Sequence, residues 1–162
     1  MILNRQKKVR LVARSLAQFL REIQRELRIE NADVSVAFVS DTEMAAWNQA
    51  YRKKTGPTDV LSFPALTQKE LDVSLIPHSK SARTRHREWA RHGAPEAAVL
   101  GDIAIAPETA RRYAKTNGRS LQNELRILML HGVLHLMGYD HESDNGEMDR
   151  IEHKLRRRLG LE

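Results

Sequence analysis

Apolar residues recur at helical spacing in the N-terminal part of the chain. Between residues 9 and 27 they stand three or four positions apart with arginines between them, which predicts one long amphipathic helix. Its apolar positions are Leu11, Val12, Leu16, Phe19, Leu20, Ile23 and Leu27. We interpret this segment as a packing helix whose charged face lies in solvent.

Three later segments have the apolar–polar alternation or the β-branched content that is typical of strands. They lie at residues 33–39, 58–64 and 99–106. Ile2 and Leu3 indicate a further, shorter strand at the start of the chain. The sequence thus predicts three or four strands.

Four more helices are predicted, because capping and breaking residues bound each of them. They lie at residues 42–53, 107–117, from the Ser120 cap to 137, and 145–159. The bounding residues are Ser40, Asp41, Gly56, Pro57, Pro107, Gly118, Ser120, Gly138, Asp144, Glu147 and Gly160. A few strands surrounded by helices make the fold class α+β or mixed α/β.

Residues 67–98 differ from the rest of the chain. They contain Pro77 and Pro95, many charges and the basic run RTRHREWARH at residues 83–92. We interpret them as a long basic insertion, flexible or partly helical, in a single domain of residues 1–162. Arginines around Trp89 are suited to binding single-stranded nucleic acid, and a solvated insertion without a partner is the alternative.

Composition narrows the chemistry. The 162 residues include no cysteine, which excludes disulfides, thiol nucleophiles and cysteine-based zinc sites. Lysines and arginines outnumber acidic residues by 27 to 21, and a basic surface favours polyanions, although it is also compatible with no partner at all. No apolar run is long enough to cross a bilayer and no signal-peptide pattern opens the chain, so we expect a cytoplasmic protein without membrane contact.

The segment HGVLHLMGYDH at residues 131–141 predicts a metal site. His131 and His135 are four residues apart and therefore share one helix face, and Gly138 allows the chain to reverse so that His141 reaches the same ion. Three imidazoles suit Zn²⁺ and leave the fourth tetrahedral position for water, as in catalytic zinc sites. The isolated residues His78, His86, His92 and His153 are not assigned to metal.

Three alternatives remain open for these histidines, the simplest being that they are ordinary core or surface residues that bind no metal. A structural zinc needs a fourth protein ligand, and Asp140, Glu142 and Asp144 are nearby candidates for that place or for orienting an imidazole. A zinc peptidase of the HExxH type needs glutamate after the first histidine, and this chain has Gly132 there. The proteolytic reading thus lacks its general base.

Three blocks of the sequence resemble one known family. HGVLHLMGYDH, NQAYRKKTGPTDVLSFP at residues 48–64 and LGDIAIAPETA at residues 100–110 are similar, in order and spacing, to the YbeY family of bacterial endoribonucleases and ribosomal RNA maturation factors. The resemblance extends over residues 33–159. The segment between residues 65 and 100 is longer than expected for the family.

The resemblance implies an α+β fold with a small mixed sheet, four to five helices and a central apolar helix that carries the histidines. It implies a single-strand-specific, metal-dependent endoribonuclease with one Zn²⁺, acting in maturation of the 3′ end of 16S ribosomal RNA and in ribosome quality control. The expected partners are ribosomal RNA and small-subunit ribosomal proteins. By position, His131, His135 and His141 are the metal ligands, and Arg52 is the functional arginine of the cleft.

These positions suggest roles for the side chains. We hypothesise that zinc activates water while Arg52 binds the phosphate through its planar fork of donors and supplies a second positive charge in the transition state. Arg52 and His131 are thus the expected catalytic residues, and Arg52 is also the expected substrate-binding residue. Asp59 either orients Arg52 or an imidazole or only caps the turn after Pro57, and Thr58 and Ser62 lie beside it. Asp102 is a turn residue by default and a support of the metal site by hypothesis.

Two rival functions remain. The first is a zinc peptidase or amidase, which requires a carboxylate base near the ion. The second is a non-enzymatic, ribosome-associated RNA-binding factor with a structural zinc, which requires four protein ligands.

Overall fold

The computed structural model describes residues 1–65, 91 and 99–161. In these ranges it contains four strands: β1 (Ile2–Asn4), β2 (Asp33–Phe38), β3 (Val60–Pro64) and β4 (Val99–Ile105). Five α-helices accompany them: α1 (Ala13–Leu27), α2 (Asp41–Trp47), α3 (Pro107–Thr116), α4 (Leu121–Leu136) and α5 (Glu147–Arg158). The predicted α+β class is confirmed. The predicted insertion at residues 67–98 lies outside the described residues apart from residue 91.

The strands form one mixed sheet in the order β1-β2-β4-β3. β1 and β4 run parallel to β2, and β3 runs antiparallel to β4 at the edge. Gly101 lies where β4 passes close to β3, with a φ of +132°, and a Cβ there would stand 2.2 Å from the carbonyl oxygen of Phe63. Only glycine fits this approach of two backbones.

Helix α4 is the central element of the core. It packs against β3, β4, α1, α3 and α5, and ten of its residues are buried, which explains why its sequence is apolar nearly all round. Ser120 caps it as predicted, since its hydroxyl oxygen accepts a hydrogen bond from the backbone N–H of Asn123 at 3.1 Å.

The first helix begins later than its apolar pattern predicts. It starts at Ala13, although Val9 is buried. The side chain of Gln6 pairs with both backbone groups of Val9, at 2.8 and 2.9 Å, and so satisfies them outside a helix. Val9 fits the apolar spacing of the helix because it is buried, but it is not part of the helix. The predicted helix was therefore four residues too long at its start.

The predicted helix at residues 42–53 is two elements. α2 ends at Trp47, and Asn48–Arg52 forms a π-helical turn that stops at Lys53, whose φ is +57°. The buried side chain of Asn48 donates a hydrogen bond to the carbonyl oxygen of Gly56 at 2.8 Å and holds the wide turn in place. A change from α to π hydrogen bonding leaves no mark in apolar periodicity, so the sequence did not reveal it.

Candidate metal centre

Three histidines converge where helix α4 ends. His131 and His135 lie one turn apart on the helix, and His141 follows in the next turn of chain. One ligand atom from each lies within 4.8 Å of the other two, and the ring centroids are 4.6, 5.2 and 5.5 Å apart. Among the described residues the group contains only these three side chains. The predicted convergence of the histidines is thus confirmed, and the group leaves room for a non-protein ligand.

The reversal that returns His141 is made by Gly138. Its φ is +87°, its N–H donates to the carbonyl oxygen of His135 at 2.9 Å, and the N–H of Tyr139 donates to that of Leu134 at 3.1 Å. This pair of hydrogen bonds is a Schellman motif, which ends a helix with a glycine in the left-handed region.

The acidic residues beside His141 hold the backbone. Asp140 accepts hydrogen bonds from the N–H of Glu142 at 3.0 Å and from the hydroxyl of Ser143 at 2.8 Å. The Ser143 hydrogen bond, above all, lowers the pKa of Asp140. Asp144 accepts from three backbone N–H groups at the start of α5, including that of Met148 at 2.8 Å. Asp140 and Asp144, two of the three candidates for a fourth metal ligand, thus use their carboxylate oxygens in local hydrogen bonds.

The carboxylate that does orient an imidazole is Glu152, which sequence reasoning missed. The Nδ1 of His131 lies 2.9 Å from Oε2 of Glu152, and Arg156 pairs with the other oxygen of this buried carboxylate. Burial raises the pKa of Glu152, but the hydrogen bond with His131 and the charges of His131 and Arg156 outweigh it and lower the pKa. Glu152 lies on the same face of α5 as the buried Met148 and Leu155, which was the available signal.

The hydrogen bond between His131 and Glu152 fixes the orientation of the imidazole ring. A carboxylate accepts hydrogen bonds, so the Nδ1 of His131 donates to Glu152, and in the neutral ring the lone pair is then on Nε2. The Nε2 atoms of His131 and His135 lie 3.1 Å apart. Burial, followed by the charges of His131 and His141, lowers the pKa of His135 to about 4, so its ring is neutral at neutral pH.

The donor set fits a zinc ion. Two nitrogens of a tetrahedral Zn²⁺ site with bonds of about 2.05 Å stand about 3.3 Å apart, close to the 3.1 Å between the two Nε2 atoms. Neutral imidazole is the form that binds the metal. Other divalent ions accept the same nitrogens, so geometry defines a metal site rather than one metal.

The histidines open onto a cleft of about 760 Å³, the histidine cleft. Its lining includes two groups of residues. The histidine wall comprises His131, His135 and His141, and the arginine wall comprises Tyr51 and Arg52 of the π turn together with residues 58–64. Nη2 of Arg52 lies 3.4 Å from Oε1 of Glu142 in an exposed pair. The structure thus brings Arg52 to the cleft of the histidines, as the resemblance implied.

Of the other polar residues singled out in the sequence, Thr58, Asp59 and Ser62 line the histidine cleft and Asp102 does not. Asp59 accepts hydrogen bonds from the hydroxyl of Thr58 at 3.1 Å and the N–H of Val60 at 2.9 Å, which matches the local alternative. The hydroxyl of Ser62 donates to the carbonyl oxygen of Gly132 at 3.5 Å and joins the arginine wall to α4. Asp102 is a residue of β4 and lines a second cavity instead of the histidine cleft.

Gly132 occupies the place where a zinc peptidase has its glutamate, and the structure gives a reason for glycine. A Cβ at position 132 would stand 2.8 Å from both Cγ2 and Cδ1 of Ile103 on β4. Position 132 therefore faces the sheet, and helix and sheet approach each other closely there. A longer side chain has no room, so position 132 supplies no general base.

Fold and site together define a small α+β protein with a three-histidine metal-binding centre. The family model described as Endoribonuclease YbeY matches residues 1–160. The chain therefore belongs to the Endoribonuclease YbeY family, a family of nucleases, and the resemblance seen in the sequence is confirmed.

Individual relatives agree with this assignment. An Endoribonuclease YbeY of Koribacter versatilis is 37% identical over 161 residues, which are 99% of this chain and 86% of the relative. One of Solibacter usitatus is 35% identical over 147 residues, 91% of this chain and 79% of the relative. The solution structure of TM1509 from Thermotoga maritima matches with a TM-score of 0.59 and 26% identity, covering 98% of this chain and 89% of that one.

Proposed function

We propose that this protein is a zinc-dependent endoribonuclease that cleaves single-stranded RNA in ribosomal RNA processing. The proposal includes maturation of the 3′ end of 16S ribosomal RNA and a role in ribosome quality control, in the cytoplasm, with small-subunit ribosomal proteins as further partners. The observation that carries it is the shared cleft, which is lined both by the three-histidine group and by Arg52. Family membership supports the choice of RNA.

We further infer that residues 1–162 form one metallohydrolase domain. The family model spans residues 1–160, and α4 contacts β3, β4, α1, α3 and α5, so most of the described elements pack around one helix. Within the described ranges, no helix combines the length and apolar character needed to cross a bilayer.

In this proposal His131, His135 and His141 hold the metal through ring nitrogens. The metal, when bound, supplies a Lewis acid for water and for a phosphate oxygen. Glu152 keeps His131 in the tautomer that leaves Nε2 free, and the turn fixed by Asp140 holds His141 in reach. The histidine wall thus needs little rearrangement to accept the ion, which is the condition for strong electrostatic help in the transition state.

Arg52 supplies a permanent positive charge in the same cleft. Its pair with Glu142 is exposed, and exposed ion pairs contribute little stability, so a phosphate can replace Glu142 at small cost. The guanidinium presents parallel N–H donors to two phosphate oxygens at once. We assign Arg52 to substrate binding and to stabilising the charge that develops on the phosphate during cleavage.

The experiment compares substrates and variants with metal content measured in each sample. Purified protein, His131→Ala and His153→Ala are incubated with labelled single-stranded RNA, the same RNA as a duplex, and a peptide library. We expect the wild type and His153→Ala to cleave the single strand only, because exposed His153 lies outside the histidine group and hydrogen-bonds to the backbone of Asp149.

The outcomes separate the rival functions. Cleavage of RNA by His131→Ala at the wild-type rate would contradict a metal-dependent nuclease. Cleavage of peptides but not RNA would favour the peptidase. RNA binding without any cleavage, in metal-loaded protein, would favour the non-enzymatic factor.

A further inference from the structure

A second cavity of about 380 Å³ lies on the face of the sheet that is turned away from α4. We call it the sheet-face cavity. Its floor follows the strand register, since Ser35, Asp102 and Phe63 are directly paired across β2, β4 and β3. Ala37 pairs with Ala104 in the next row. Apart from Phe63, the side chains on this floor are small, and aromatic rings line one side of the cavity.

The sheet-face cavity and the histidine cleft share a wall. Tyr51 and Phe63 line both of them. A strand of RNA with one phosphate beside the histidines therefore meets this wall with a neighbouring nucleotide. Continuity with the site of the proposed function is the first argument for what the cavity takes.

The shared wall is aromatic. The ring of Phe63 contacts those of Tyr51 and Trp47, with centroids 5.0 and 6.0 Å apart and planes at 73° and 89°. Rings that meet edge to face leave ring faces open to a planar ligand. Tyr51 is 68% exposed, so its ring is accessible to a ligand.

Charges flank this wall in a pattern that fits a nucleotide. Arg52 lies on the side of the histidine cleft, and Arg5 lies at the sheet-face cavity, 5.9 Å from the ring centre of Trp47 and paired with Glu43. Asp102 and Ser35 provide oxygen acceptors on the floor. A base carries N–H donors for such acceptors, and its phosphates carry charge for the arginines.

We propose that the sheet-face cavity is a nucleobase-binding subsite for the nucleotide next to the cleavage position of single-stranded RNA. The base stacks on Tyr51 and Phe63 and directs its N–H groups to Asp102. The subsite rests on the proposed function, because that function places the RNA in the neighbouring cleft. A duplex cannot use it, since its bases are stacked and paired, so the subsite also gives a reason for single-strand specificity.

Tyr51→Ala is the main test because the side chain is exposed and its removal leaves the core intact. We expect RNA affinity to fall about tenfold, as is usual for the loss of one base–aromatic stack. Tyr51→Phe should retain the affinity. Tyr113→Ala is the matched control, since Tyr113 is 47% exposed on α3 and lines neither cavity.

An abasic scan identifies the base. A single abasic nucleotide is moved along the RNA, and we expect one position near the cleavage site at which it weakens wild-type binding but has no further effect in Tyr51→Ala. Additive losses at every position, or equal affinity of Tyr51→Ala and wild type, would overturn the subsite. RNA cleavage by the wild type in the same samples would leave the proposed function standing.

Tryptophan fluorescence tests ligand binding at the subsite independently of RNA cleavage. The chain has two tryptophans, so Trp89→Phe leaves Trp47 as its sole tryptophan. We expect guanylyl dinucleotides to quench Trp47, and Asp102→Asn to weaken this effect. No quenching would overturn the subsite whether or not RNA is cleaved, and quenching by peptides alone would show that the cavity takes a protein.

Discussion

The two walls of the histidine cleft are built in different ways. The histidine wall is held in place by the core: α4 is largely buried, His131 is supported by buried Glu152, and a Schellman motif sets the return of His141. The arginine wall consists of an edge strand and a π turn, and Tyr51 and Arg52 are exposed. The comparison teaches that the three histidines are positioned by folding itself, whereas Tyr51 and Arg52 are free to rearrange around a bound molecule. Variants of the two walls should therefore fail in different ways.

Removal of a histidine should have the largest effect. We expect His135→Ala to lose metal binding and to reduce RNA cleavage on the order of a thousandfold or more, since both the Lewis acid and its position are lost. In the wild type, Zn²⁺ at a thousandfold excess over its Kd should stabilise the fold by about 4 kcal/mol. Metal analysis and thermal unfolding with and without Zn²⁺ check this, and a zinc-dependent rise of Tm in His135→Ala would contradict it.

Arg52→Ala should affect the other wall alone. We expect kcat for RNA cleavage to fall about a hundredfold, by analogy with the loss of one transition-state donor, while metal content and Tm stay unchanged. Arg52→Lys should recover part of the activity, because it keeps the charge but not the planar fork. Steady-state kinetics and metal analysis on the same samples check this. Loss of metal from Arg52→Ala would show that the two walls are not independent.

Glu152→Gln should weaken the histidine wall without removing a ligand. We expect Zn²⁺ affinity to fall about tenfold to a hundredfold, since a neutral amide holds the His131 tautomer less firmly than a carboxylate. Competition with a coloured chelator measures the Kd. Glu26→Gln is the control, because Glu26 pairs with Arg158 away from the cleft. Equal affinity in the two variants would show that Glu152 only supports folding.

Gly132→Ala should have the smallest effect, on stability alone. We expect the free energy of unfolding to fall by about 1 to 2 kcal/mol, because the clash of the new Cβ with Ile103 outweighs the better helix propensity of alanine. Ile103→Val removes Cδ1 and should recover part of the loss when the two substitutions are combined. Urea unfolding of the single and double variants measures the coupling, and strictly additive losses would refute the contact.

Local sequence was enough to predict the histidine wall but not its surroundings. The spacing of His131 and His135 on a helix, the glycine stop at Gly138 and the Ser120 cap act within a few residues of each other, so the pattern is readable. Glu152 reaches His131 from another helix, and the fit of Gly132 depends on Ile103 of a strand, so both follow only from tertiary packing. The order of the strands, with β4 between β2 and β3, likewise depends on contacts distant in sequence.

The arginine wall shows a second limit of sequence reasoning. The family resemblance identified Arg52, and the helical pattern before it was correct as far as Trp47. The pattern carried no sign of the π turn, of the Lys53 backbone with positive φ, or of Tyr51 as a residue shared by two cavities. An aromatic residue next to the arginine that the resemblance had singled out was the one available signal, and it becomes informative only when both cavities are known.

The π turn at Asn48–Arg52 has a consequence for how such an enzyme can diverge. Each of its hydrogen bonds encloses one residue more than an α-helical bond, so loss of a single codon would restore the α-helix and rotate the following side chains by about 100°. Arg52 and Tyr51 would then leave the places they now occupy, while His131 and His135 on α4 would stay. Small insertions and deletions at this turn are thus a route to new substrates on an unchanged metal centre.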